Sequence, residues 1–95
     1  MFVVLVEYIK PLEIIEKLLE EHIAFLDKYY QQSKFICSGR QNPRVGGVIL
    51  VKAKSKQEVE DIISEDPFYI YQAADYRIIE FAPTKYDPGF APFID

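Results

Sequence analysis

Ninety-five residues make one small domain, and a chain this short hides only about 60% of the surface its unfolded form exposes, so a second subunit would add stability. With 49% hydrophobic residues, seven Tyr and seven Phe, the composition supplies a core and excludes a disordered chain. A net charge of −4 and scattered basic residues provide no positive field for nucleic acid or an anionic membrane surface, and one cysteine excludes an internal disulfide.

Phe2 to Ile9 (FVVLVEYI) is β-branched and aromatic, and as far as Val6 it is apolar at both parities, as in a central strand covered on both faces. The apolar run stops at Glu7, too short and without the basic flank of a signal peptide, and no segment approaches a membrane span, so the expected compartment is the cytoplasm. Lys10-Pro11 ends the strand, since Pro11 has no N–H for a ladder yet suits the first turn of a helix.

Pro11 to Gln32 reads as one amphipathic helix with the only histidine, His22, at the centre of its apolar stripe. At about 100° per residue, Leu12, Ile14, Ile15, Leu18, Leu19, Phe25, Leu26, Tyr29 and Tyr30 fall within about 80° of His22, while Glu20, Glu21 and Asp27 lie on the solvated side. The imidazole is therefore expected to point inward.

Lys34 to Ser38 (KFICS) gives a second strand, Gly39 to Gly47 (GRQNPRVGG) a turn-rich hairpin loop, and Val48 to Ala53 (VILVKA) a third strand. Ser55 with Glu58 three residues later forms a capping-box pattern opening a second helix, whose buried stripe is Val59, Ile62 and Ile63. Asp66-Pro67 breaks that helix, and Asp66 can cap a short third one from Pro67 to about Ala74. Tyr76 to Ala82 (YRIIEFA) is the fourth strand. The tail, residues 83–95, is expected to pack over an edge or onto a partner, with a frayed terminus as the alternative.

Strand, helix, strand, strand, helix, strand is the ferredoxin-like βαββαβ order, an α+β antiparallel sheet with both helices on one face, in a single domain over residues 1–95. Strands one and three are apolar on both faces, so the second face needs cover from outside the fold. Another copy's sheet is the economical answer, which predicts a homodimer with sheets face to face and a cavity at each helix–sheet boundary.

His22 is either a core histidine satisfied by one hydrogen bond or a functional group, and in both cases an unpaired buried imidazole would cost about 1–3 kcal/mol. Asp66 is the expected partner: were the second helix continued, it would lie on the stripe of Val59 and Ile62, facing the same layer as His22. A carboxylate holding one imidazole nitrogen fixes the tautomer and frees the other as a base, and this role is compatible with capping. Cys37 alternates with Ser38 and is expected to be a buried small hydrophobe on the opposite side of the sheet. One His and one Cys draw no zinc site, and no glycine-rich phosphate loop occurs. Tyr69, Tyr71 and Tyr76 lie near Asp66 and either pack in the core or line a pocket.

EHIAFL in the first helix, SGRQNPRVGGVIL after it and SEDPFYIYQAADYRIIEFAP at the end together resemble the YCII-related (YciI-like) family, over the whole chain apart from the tail. The resemblance implies the dimeric α/β barrel of ferredoxin-like subunits, a fold similar to that of small monooxygenases and muconolactone isomerases, and His22 with Asp66 as the catalytic pair. Ser38 and Gly39 match the family's small-residue step, where substrate would be placed. Proline usually follows, but here the residue is Arg40. Arg40 and Arg44 are either solvated loop charges or, for Arg40, an anion-binding group in the cavity. The leading reading is a cofactor-independent enzyme of isomerase or lyase type using His22 and Asp66 for acid/base chemistry on a small molecule. A small-ligand-binding dimer without catalysis, and a structural dimer whose buried polar pair fixes register, are the alternatives.

Overall fold

The two stretches richest in β-branched residues take the middle of the sheet. In a computed structural model that describes residues 1–94, the strands are β1 (Phe2–Tyr8), β2 (Phe35–Arg40), β3 (Gly46–Val51) and β4 (Ala74–Glu80), all antiparallel and ordered β2-β3-β1-β4. Helices α1 (Leu12–Gln31) and α2 (Lys56–Ile63) pack on one face, and a single turn, α3 (Pro67–Ile70), leads into β4. This is the expected ferredoxin-like α+β arrangement.

Strand alternation sorts the side chains. Phe2, Val4 and Val6 of β1 and Ile49 and Val51 of β3 are buried beneath the helices, where they meet Ile15, Phe25 and Tyr29 of α1 and Val59, Ile62 and Ile63 of α2. Val3, Leu5, Val48 and Leu50 point the other way and remain half-buried. On α1 the outermost positions of the apolar stripe, Leu12 and Ile14, are exposed rather than packed, because residues at its 80° edges overhang the sheet contact. Cys37 is also exposed, contrary to expectation: it does face away from the helices, and among the described residues no helix covers that face.

Three local features depart from the sequence reading. The hairpin loop shortens to residues 41–45, because Gly39 and Arg40 of β2 pair with Val48 and Gly47 of β3 instead of looping out. Strand β2 carries a bulge between Phe35 and Cys37. Without it Phe35 and Ser38 would face opposite ways; with it Phe35 stays in the core, opposite Val51, while Ser38 and Arg40 share the helix-facing side. Finally, α3 stops at Ile70 because Gln72 takes a left-handed φ of 54°, and the Ala73 and Gln72 N–H groups close back on the carbonyls of Phe68 and Tyr69. Ser33, φ 59°, ends α1 in the same way. Tyr69 and Tyr71 are exposed and do not line the cavity beside His22.

The capping pattern of α2 is present, with Ser55 Oγ accepting from the Glu58 N–H at 3.2 Å and the Glu58 carboxylate accepting from the Lys54 N–H at 2.7 Å. In the tail, a 3-10 segment over Pro88–Phe93 is capped by Asp87, and Phe93 shares a recess with Met1 and Phe81 at the strand ends. Among the described residues no helix is long and apolar enough to cross a membrane.

Gly46 is the position where close approach demands glycine: a Cβ there would stand 1.7 Å from the Val6 carbonyl oxygen, whereas a Cβ on Gly39 would meet no atom within 4 Å. Gly46→Ala is expected to destabilise the protein by about 3 kcal/mol or more and Gly39→Ala by less than about 1 kcal/mol, as read from urea denaturation midpoints.

Candidate active site

Around His22 the helix wheel divides into two flanks. Ile15, Leu18, Phe25 and Tyr29 lean toward the core, whereas Leu19, Ile23 and Leu26 line a cavity of ≈ 240 Å³ between α1 and the sheet. His22 stands on the boundary, its side chain 14% exposed. Val6, Ile49 and Phe68 add apolar wall, and Tyr8 of β1, Ser38, Gly39 and Arg40 of β2 and Gly47 and Val48 of β3 also line it. A cavity of about 150 Å³ already holds benzene, so this one suits a substituted single ring and is small for a nucleotide.

Asp66 is the only fully buried charged residue among those described. It lies between α2 and α3, and capping brings its carboxylate inward: Oδ1 accepts from the Phe68 N–H at 3.0 Å, as the sequence predicts for an N-cap. The same oxygen lies 2.9 Å from His22 Nδ1. Oδ2 accepts from the Tyr76 hydroxyl at 2.6 Å. A carboxylate offers acceptors only, so Nδ1–H is the donor, and Nε2 has no protein partner among the described residues. The ring stacks on Phe68, centroids 4.1 Å apart and planes within 11°. Edge and face are thus both fixed by one turn of chain, Asp66 to Phe68.

A clamp that the sequence reading did not single out supports that turn. The Glu65 carboxylate accepts from Lys28 Nζ at 2.5 Å and from the Tyr29 hydroxyl, tying the residue before Asp66 to α1 one to two turns beyond His22. Those two donors, Lys28 first, hold the Glu65 carboxyl below the usual carboxylate range. The spacing of Tyr29 from His22 on one helix face was the available signal, but nothing in the sequence placed Glu65 opposite it.

Ser38 and Arg40 both reach the cavity, Ser38 Oγ standing 2.7 Å from the Tyr30 hydroxyl. Arg44 is no solvated loop charge: it bonds Glu16 of α1 at 2.5 Å, and its Nε and Nη2 are covered. Of the three tyrosines near Asp66, only Tyr76 joins the site. Among the described residues no three His, Cys, Asp or Glu side chains cluster as metal ligands would.

The structure is thus a ferredoxin-like α+β domain with a polar chain of His, Asp and Tyr beside a cavity. The YCII-related domain, a family model, matches residues 1–82, and the chain belongs to that family. Among solved structures it is similar in fold to 5-chloro-2-hydroxyhydroquinone dehydrochlorinase (TftG) from Burkholderia phenoliruptrix AC1100, determined in complex with 2,5-dihydroxybenzoquinone. The TM-score is 0.72 at 17% identity, over 86% of this chain and 94% of that one. No curated protein matches the sequence.

Burial first, then the Asp66 charge and its hydrogen bond, push the Tyr76 phenol well above its ordinary value of 10.0. The folded protein therefore disfavours phenolate relative to the unfolded chain, and the Tyr76 contribution is full below pH 10 and lost as pH rises past it, at about 1.4 kcal/mol per pH unit. Tyr76→Phe is expected to flatten this alkaline loss while costing about 1–2 kcal/mol at neutral pH, because Asp66 Oδ2 loses its donor. Denaturation midpoints of both proteins across pH 8 to 11 check it, roughly the range in which phenols ionise.

Proposed function

We propose that this protein is a small cofactor-independent enzyme of isomerase or lyase type, in which His22 is the general base and acid and Asp66 orients it. The observation that carries the reading is an imidazole at a cavity with Nδ1 2.9 Å from a buried carboxylate that two further donors, the Phe68 N–H and the Tyr76 hydroxyl, hold in place.

The chemistry follows from that arrangement. A C–H made acidic by a neighbouring carbonyl gives its proton to Nε2, and the electron pair moves into the carbonyl system. The imidazolium that forms is stabilised by Asp66 through Nδ1–H. In an isomerisation the proton returns to a different carbon. In an elimination the electron pair expels a leaving group from the adjacent carbon, and the proton passes to solvent. Ser38 and the Gly39 backbone position the substrate beside the ring. A positioned base of this kind supplies about 10²–10⁴-fold, enough for an activated small molecule and too little for hydrolysis of an unactivated bond.

Support also comes from the family and the fold. The similar-fold TftG is named as a dehydrochlorinase, and its structure holds 2,5-dihydroxybenzoquinone, a single-ring compound of the size the cavity suits. The functional unit in this reading is a homodimer, since Val3, Leu5, Val48 and Leu50 form an apolar sheet face that no helix covers. A binding protein without turnover is the second reading, favoured by the same cavity.

Activated cyclic ketones, lactones and halogenated hydroquinones are the substrates to screen. His22→Gln is expected to retain the fold and reduce turnover of a hit by about 10²–10⁴-fold, and Asp66→Asn by a smaller factor with a loss of about 1–3 kcal/mol in stability. A ligand that raises the melting temperature of the wild-type protein without being consumed would favour the binding module.

A further inference from the structure

We propose that the His22 cavity selects a single-ring compound bearing a carboxylate, with Arg40 as the residue that receives the anion. This rests on reading the cavity as the substrate site, and it names the class of compound that reading leaves open.

Arg40 is the only cation among the cavity's lining residues, and no Asp or Glu lines it. Among the described residues Arg40 has no ion-pair partner, whereas Lys28, Lys34 and Arg44 each find a carboxylate, in a chain with fifteen acidic residues. Its direction is set by the strand. The bulge at the start of β2 turns Ser38 and Arg40 to the helix-facing side, where Arg40, itself exposed, is paired with Gly47, which has no side chain, and lines the cavity.

A guanidinium has five N–H donors in a planar fork and stays charged at any working pH, so its complement is a planar oxyanion. The cavity supplies none, and the ligand must bring it. Apart from His22, Ser38 and Tyr8, the side chains of the remaining wall are apolar, among them Leu19, Ile23, Leu26, Ile49 and Phe68, which suits a ring. Arg40 and Ser38 are two residues apart, about 7 Å along the strand, a span that one ring with its carboxylate bridges. A carboxylate at Arg40 thus leaves the far side of the ring near Ser38 and His22. Negative charge arriving on the substrate during proton abstraction would also be felt by the same guanidinium.

The test uses benzoate and its neutral isostere benzamide as probes of the intact protein, with binding read from the resonances of the single His22 ring and the Arg40 side chain. Benzoate is expected to perturb both and to bind about fivefold or more tightly than benzamide, the size of one partly exposed charge pair. Arg40→Gln removes that preference, Arg40→Lys keeps part of it, and Lys17→Gln, which deletes the same charge from the solvated side of α1, changes nothing. Equal affinity for the two probes, a benzoate preference indifferent to Arg40 or equally sensitive to Lys17, or no effect of benzoate on His22 would overturn the proposal. Because no turnover is measured, a failure here leaves the acid/base reading standing; a benzoate preference that depends on Arg40, together with a turnover that His22→Gln leaves unchanged, would sink that reading and keep this one.

Discussion

Everything at the site depends on one buried carboxylate. Asp66 has no contact with solvent, and its two oxygens collect donors from three elements: the imidazole of α1, the first amide of α3 and the phenol of β4. A carboxylate taken out of water is tolerated only when its acceptors are filled, and here each donor also performs a second task. The amide starts a helix, the phenol fastens the last strand to the helical layer, and the imidazole is held through Nδ1. The polar chain therefore ties the packing of the fold to the orientation of the His22 ring, the proposed base.

The fold makes room for that group by splitting α1 lengthwise. One flank of its stripe completes the core with Phe2, Val4 and Val51, and the other stands off the sheet over β2, leaving the cavity. Aromatic rings hold the boundary. Phe35 packs edge-on against Phe25 and Tyr30, while Phe68 lies flat under His22 and meets Tyr8 edge-on. The bulge in β2 then adds the polar lining, since one extra residue lets Phe35 stay in the core while Ser38 and Arg40 turn toward the ligand space. A small shift in strand register thus decides which chemistry reaches the cavity.

Much of this was legible in the sequence because it rests on periodicity and capping. The stripe around His22, the proline breaks and the Ser55 and Asp66 caps define the element order, and the inward faces of two helices bring His22 and Asp66 to the same layer. What escaped were features without a local signature. The bulge leaves no mark in KFICSGR, so Gly39 and Arg40 read as loop. Both left-handed helix stops use Ser33 and Gln72, where glycine would have announced them. Cys37 looked like core because a strand residue between apolar neighbours is normally covered, and the open sheet face breaks that rule. Tyr76 was one of three equivalent candidates until the register of β4 against β1 aligned it with Val6 and placed its hydroxyl on Asp66.

The most direct test of the account is the tautomer of the His22 ring, read from long-range proton–nitrogen correlations in the wild type and in Asp66→Ala. One histidine makes the assignment unambiguous. The expected result is a neutral ring protonated on Nδ1 with a bare Nε2, relaxing to a mixture once the carboxylate is gone. A wild-type ring protonated on Nε2, or one whose tautomer is indifferent to Asp66, would contradict the claim that Asp66 prepares Nε2 as the base.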